Sequence, residues 1–216
     1  GSGKSSVSRE VASRLGLGYL DTGAMYRAAT WAVLDRGIDP DDTDAVAALM
    51  TGDAAPAIES GTDPAEPFIR VDGVDVAEAI RGELVTSAVS AVSAVGAVRQ
   101  GMVDLQREHA HASSGIVVEG RDIGSVVLPQ ADVKVFLTAD PSVRAQRRAA
   151  EANVNDAGSV SATEDALRAR DAKDTTRAIS PLAPAEGSIE IDTTNLTFDD
   201  VVDAVISLVR DAPEGR

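Results

Sequence analysis

The chain opens with Gly1, Ser2, Gly3, Lys4, Ser5 and Ser6, the last part of the pattern G-x-x-x-x-G-K-[ST], set directly before a helical stretch. Such a turn is suited to phosphate. Backbone N–H groups and a helix N-terminus cradle phosphate oxygens, Lys4 neutralises β/γ-phosphates, and Ser5 offers a hydroxyl to Mg²⁺. The motif's first glycine and the strand leading into it are expected upstream of Gly1. A second feature is the gathering of arginine in an acidic chain. Lys and Arg number 20 against 35 Asp and Glu, for a net charge of −15. Yet Arg144, Arg147 and Arg148 sit together, and Arg121, Arg170 and Arg177 lie near aspartates. Local guanidinium clusters build anion sites when they are not simply solvated ion pairs.

The same balance narrows the partners. A strongly acidic surface repels nucleic-acid phosphates, so no nucleic-acid polymer is expected to bind. With no cysteine there is neither a disulfide framework nor a thiolate metal site, and His109 and His111 cannot build a zinc cluster. No apolar run reaches the length of a membrane span and no leader pattern is visible, so a cytoplasmic protein without a membrane partner is expected.

The elements that must position these residues alternate between helix and strand. Helices are expected over 4–15, 23–36, 42–50, 83–94 and 97–112, with short strands at 18–21, 116–119 and 133–138. Residues 53–82 break the rhythm: runs at 57–60, 68–72 and 74–76, separated by Gly, Pro and Asp turns, read as a small β-rich insertion. Asp140 followed by Pro141 reads as an N-cap and first helical position. A polar loop over 153–160 precedes a capping-box pattern at Ser161 and Glu164. A strand at 189–191 and a helix over 198–210, capped by Thr197 and Asp200, complete the order. The sum is an α/β domain with a parallel sheet.

Three further stretches fix a resemblance. They are Tyr19 to Arg27 (Y-L-D-T-G-A-M-Y-R), Glu119 to Gly124 (E-G-R-D-I-G), and Arg170 to Leu182 (R-D-A-K-D-T-T-R-A-I-S-P-L). With the opening G-S-G-K-S-S, the chain resembles the bacterial cytidylate kinases among the P-loop nucleoside monophosphate kinases. The resemblance covers nearly the whole chain. It implies a nucleoside-monophosphate-kinase fold whose first strand is missing from the chain. The core would comprise 1–52 and 114–216 with a lid at about 150–165, and 53–113 would be the monophosphate-binding insertion.

The implied activity is transfer of the γ-phosphoryl group of ATP to CMP or dCMP with Mg²⁺, by a cytoplasmic monomer. A cytosine nucleotide needs an acceptor for its N4 amine, donors for O2 and N3, and forked guanidinium contacts for its phosphate. The resemblance assigns Asp122 and Ser90 to the amine and Arg99 to the other base edge. Arg27, Arg121 and Arg177 would hold the phosphate with Thr22 at the site's edge, and Arg170 and Asp174 would meet the ribose. Gly1 to Ser6, Arg144 and Arg148 would bind ATP, with Lys4, Arg121 and Arg177 catalytic and Ser5 reaching the metal through ATP.

Plainer readings of the same residues stand beside these. Asp122 could be an N-cap, Arg170 and Asp174 an i, i+4 surface pair, and Ser87, Ser90 and Ser93 a small-residue packing face. Two other functions also fit the phosphate loop: a small kinase for another monophosphate or metabolite, or a nucleotide-binding module without turnover because the N-terminus is truncated.

Overall fold

The computed structural model describes residues 2–151 and 184–212. The expected loop at 153–160, the capping box at Ser161 and the lid lie outside the described residues, apart from positions 150 and 151. The chain divides into two units, one of Ala12–Gly120 and one of Gly1–Val11 with Arg121–Arg216. Helix α1 (Lys4–Leu15) runs through that division.

In the unit of residues 12–120, strand β1 (Gly18–Asp21) leads into α2 (Thr22–Asp35). Asp21 starts the helix by accepting the N–H of Ala24 at 2.9 Å, which satisfies one of the four donors a helix leaves open. At the other end Gly37 N–H reaches Leu34 O at 3.0 Å and Ile38 N–H reaches Val33 O at 3.1 Å. That double closure is a Schellman stop, with Ile38 turned back onto the core. The buried face of α2 is rich in small residues (Thr22, Ala28, Ala29, Thr30 and Ala32, with Met25 and Val33), so neighbouring elements approach closely. Helix α3 (Thr43–Thr51) follows, capped by Asp42.

The three short runs expected between residues 53 and 82 form strands. Strands β2 (Ile58–Ser60), β3 (Ile69–Val71) and β4 (Val74–Asp75) make an antiparallel sheet in that order. Ile58 opposite Val71, and Ser60 opposite Ile69, put three buried aliphatic side chains and one serine on the inner face; Glu59 pairs with Arg70 on the outer one. Asp72 and Gly73 hold φ of 51° and 79°, the two left-handed positions of a type I′ hairpin turn, and Asp-Gly is the pair that tolerates them. A single 3₁₀ turn, Ala79–Arg81, then leads to α4 (Glu83–Val92) and α5 (Gly96–Ala112). The chain returns in β5 (Ile116–Glu119), which pairs parallel to β1 with Gly18 opposite Ile116 and Asp21 opposite Glu119. One core, from Leu20 and Met25 through Val71 and Ile80 to Val98 and Met102, joins the helices to the insertion.

The other unit holds β6 (Val135–Thr138), α6 (Pro141–Glu151), β7 (Ile189–Asp192) and α7 (Phe198–Asp211). Strands β6 and β7 are parallel, Val135 facing Ile189. Both expected caps are present. Asp140 accepts from the Ser142 N–H at 2.9 Å and its hydroxyl at 2.7 Å. Thr197 and Asp200 form a reciprocal capping box, the Asp200 N–H reaching the threonine hydroxyl at 3.2 Å and the Thr197 N–H reaching the carboxylate at 3.0 Å. The α/β reading with parallel pairing therefore holds. Strand β6 begins two residues later than expected because its pairing with β7 starts at Val135.

Candidate active site

Gly3 sits at φ 82°, a conformation that favours glycine, and its carbonyl accepts the Val7 N–H at 2.9 Å as α1 begins. Lys4 and Ser5 are the first helical residues and are exposed; Ser2 is buried, with its hydroxyl 3.5 Å from the Lys4 ammonium. No acidic residue occupies the first turn of α1. The positive end of the helix dipole therefore faces outward beside a lysine and two serines, which suits an anion and a cation carried by that anion.

The strand ends carry the next group. Tyr19 donates its hydroxyl to the Glu119 carboxylate at 2.6 Å, with both residues buried. The register explains the meeting: Tyr19 lies opposite Val117, so Glu119 is the next residue on the same face of β5. Thr22, also buried, donates Oγ1 to the Glu119 carbonyl at 2.7 Å. Its hydroxyl proton is thus committed to the strand end, and its oxygen retains acceptor capacity only.

Beyond Glu119 the chain passes Gly120 into Arg121 and Asp122, and then a π-helical turn, Ile123–Val127. Asp122 is 7% exposed. Its carbonyl accepts from Val126 N–H at 2.9 Å, but its side chain makes no capping bond to that turn. Asp122 therefore stands at the N-cap position of this turn through its carbonyl, without a side-chain capping bond.

Among the residues assigned to the nucleotide, Arg27, Ser90 and Arg99 lie on α2, α4 and α5, and α2 packs against both of the other helices. Arg27 directs Nη1 to the Ile80 carbonyl at 3.0 Å and to the Thr86 hydroxyl at 2.9 Å. Arg99 is only 6% exposed, an expensive place for a guanidinium. It donates to the Ser93 carbonyl at 3.3 Å and lies over the Tyr26 ring, 5.6 Å from its centroid. Ser90 is half-buried, and Ser93 donates to the Ser90 carbonyl at 3.3 Å. Ser87 is exposed and bonds back to Leu84, so the three serines do not form one packing face.

Sequence reading missed one clamp on α6. Arg147 straddles Thr193, with Nη1 2.9 Å from its hydroxyl and Nη2 2.8 Å from its carbonyl. Thr193 is itself buried and fastened to Thr138 O by its N–H at 2.9 Å and its hydroxyl at 3.0 Å. Arg147 thus fastens α6 to the ends of the β6–β7 pair, while Arg144 is half-buried on the same helix. Gly1, Arg170, Asp174, Arg177 and the side chain of Arg148 lie outside the described residues.

Parallel β–α units with a glycine turn opening α1 and an antiparallel insertion make this an α/β protein of the nucleoside-monophosphate-kinase class. Comparison with known proteins narrows the class: residues 1–211 match the family model described as cytidylate kinase, and the chain belongs to that family. A cytidylate kinase of Streptomyces avermitilis is 53% identical over 212 residues, spanning 98% of this chain and 89% of the relative. One from Streptomyces coelicolor is 54% identical over 217 residues, covering 100% and 91%. A cytidylate kinase of Corynebacterium diphtheriae is 47% identical over 218 residues, covering 99% and 92%.

Proposed function

We propose that this chain transfers the γ-phosphoryl group of ATP directly to CMP or dCMP, giving CDP or dCDP and ADP. The observation that carries the reading is the family match across residues 1–211, continuous through every segment assigned a role. A phosphate oxygen of CMP attacks the γ-phosphorus in line, a P–O bond forms, and the bond to the β-phosphate oxygen breaks. Such a step needs positioning and charge neutralisation more than covalent chemistry.

The division of labour follows the residues. Gly1 to Ser6 would wrap the ATP phosphates, with Lys4 absorbing charge as the β–γ bond breaks. Mg²⁺, when bound with ATP, supplies further charge neutralisation, and the exposed Ser5 hydroxyl in the first turn of α1 fits that task. Arg27, Arg121 and Arg177 would hold the CMP phosphate, with Thr22 near it at the site's edge, and Arg170 and Asp174 would meet the ribose. Arg144 and Arg148 would face ATP.

Asp122 is the base selector in this reading. A buried carboxylate accepts from the cytosine N4 amine, whereas uracil presents an oxygen there and meets repulsion. Ser90 and Arg99 complete the base edge, with residues 53–113 as the monophosphate-binding insertion and 1–52 with 114–216 as the core. The enzyme would act as a cytoplasmic monomer. Among the described residues no helix is long and apolar enough to cross a membrane.

The test is product formation. Purified protein with Mg-ATP and CMP should yield CDP and ADP in equal amounts by ³¹P NMR, and Asp122→Ala should lose CMP turnover. ADP without CDP, or turnover of CMP unaffected by D122A, would contradict the reading.

A further inference from the structure

Arg27 is held from the insertion side by two acceptors of different kinds. The Ile80 carbonyl belongs to the 3₁₀ turn Ala79–Arg81 and is fixed there, since Ile80 is buried and its N–H bonds to Val76 O at 2.9 Å. The Thr86 hydroxyl projects from the first turn of α4, where the Thr86 N–H bonds to Gly82 O at 3.0 Å. Thr86 is exposed, and threonine forms helix less readily than alanine, so neither burial nor helix propensity favours it there. Its hydroxyl nevertheless meets Arg27 Nη1 at 2.9 Å, across 59 positions of sequence.

Two acceptors on one nitrogen fix the plane of a guanidinium. A free arginine samples many rotamers, and its fork recognises phosphate only when the plane is correctly turned. Helix α4 adds a second relation. Thr86 and Ser90 are four residues apart, one helical turn or ~6 Å along the axis, and share a face.

We propose that Thr86 is a positioning residue for the nucleotide's phosphate: its hydroxyl and the Ile80 carbonyl preset the Arg27 guanidinium, so that one face of α4 orients the phosphate-binding arginine and carries the base-contacting Ser90. This rests on the reading of the site as a CMP pocket. Loss of the hydroxyl leaves the arginine in place but lets its plane wander, so the cost falls on the phosphate and spares the base.

The experiment is calorimetric titration of the wild type, Thr86→Val and Thr86→Ser with CMP and, separately, with cytidine. T86V should weaken CMP about tenfold, the size of one lost hydrogen bond to a charged group, and leave cytidine binding unmoved. T86S keeps the acceptor and should hold CMP within about twofold of wild type. On an Arg27→Ala background, T86V should have no further effect. Thr86→Ala serves as the second removal of the hydroxyl should the valine disturb α4. Unchanged CMP affinity in T86V and T86A overturns the role of Thr86, as does a parallel loss of CMP and cytidine. Wild-type protein that binds cytidine and CMP with equal affinity overturns the phosphate role of Arg27. Wild-type protein that binds neither defeats the CMP pocket itself, and with it this assignment.

Discussion

The hydroxyl of Tyr19 lies 2.6 Å from the carboxylate of Glu119, a bond between buried residues that are 100 positions apart. It joins the ends of the parallel pair β1–β5 where the chain turns toward Arg121 and Asp122. Tyr19→Phe removes one donor from a buried acceptor with almost no change of shape. The expected cost is about 1–3 kcal/mol. In urea it should read as a lower midpoint with an unchanged slope. A midpoint equal to wild type would mean that the bond contributes nothing to the fold.

Base selection is the next consequence. Replacing Asp122 by Asn keeps the shape of a 7% exposed side chain while removing its charge. CMP affinity should fall roughly ten- to hundredfold, and the preference for CMP over UMP should shrink, because the amide offers both a donor and an acceptor. Competitive titration of the two nucleotides checks this. An undiminished preference would move the selector elsewhere.

The arginines of α6 should separate by role. Arg147 is bound at both ends of its fork to Thr193, and lysine cannot reproduce that geometry. Arg147→Lys and Arg147→Ala should each lose about 1–3 kcal/mol by thermal or urea unfolding. Arg144→Ala should instead slow turnover of Mg-ATP and CMP while leaving the unfolding midpoint near that of wild type. The reverse pattern would exchange the two assignments.

Acid should weaken the fold through identifiable carboxylates. Asp72 is held below the ordinary aspartate value of 3.8, first by the Ala57 N–H and then by Arg36, whose Nη2 lies 2.7 Å away. The Thr194 hydroxyl and N–H lower Asp192, and those of Thr197 lower Asp200. A carboxyl depressed in the folded state stabilises above its unfolded pKa and loses that contribution as pH falls through the folded one. The contribution of these groups to the melting temperature should thus be flat above about pH 5 and shrink below about pH 4. Asn tolerates the left-handed backbone at position 72, so Asp72→Asn isolates the charge and should make the acid decline shallower. An identical decline in D72N would remove Asp72 from the account.

Local chemistry was the legible part. The caps at Asp140 and Thr197 need partners only two or three residues away, and the Asp72-Gly73 hairpin is encoded by the turn itself. The glycine turn that opens α1 and the Arg121-Asp122 step after β5 are legible for the same reason, as contiguous motifs. What escaped was long-range pairing: Tyr19 with Glu119, Arg27 with Thr86, and Arg147 with Thr193. Those contacts depend on strand register and helix packing, which no spacing along the chain records. Thr22 shows the same limit. Its hydroxyl donates to the Glu119 carbonyl, 97 positions away. The break between α4 and α5 at residues 93–95 was anticipated to within two residues, but not that Ser93 would offer its carbonyl to Arg99.

The most direct test of a CMP pocket is titration of the protein with CMP, UMP and AMP by calorimetry, without ATP. The account predicts selective CMP binding that is abolished in Asp122→Ala. Equal affinity for all three nucleotides, or no CMP binding by folded protein, would contradict it.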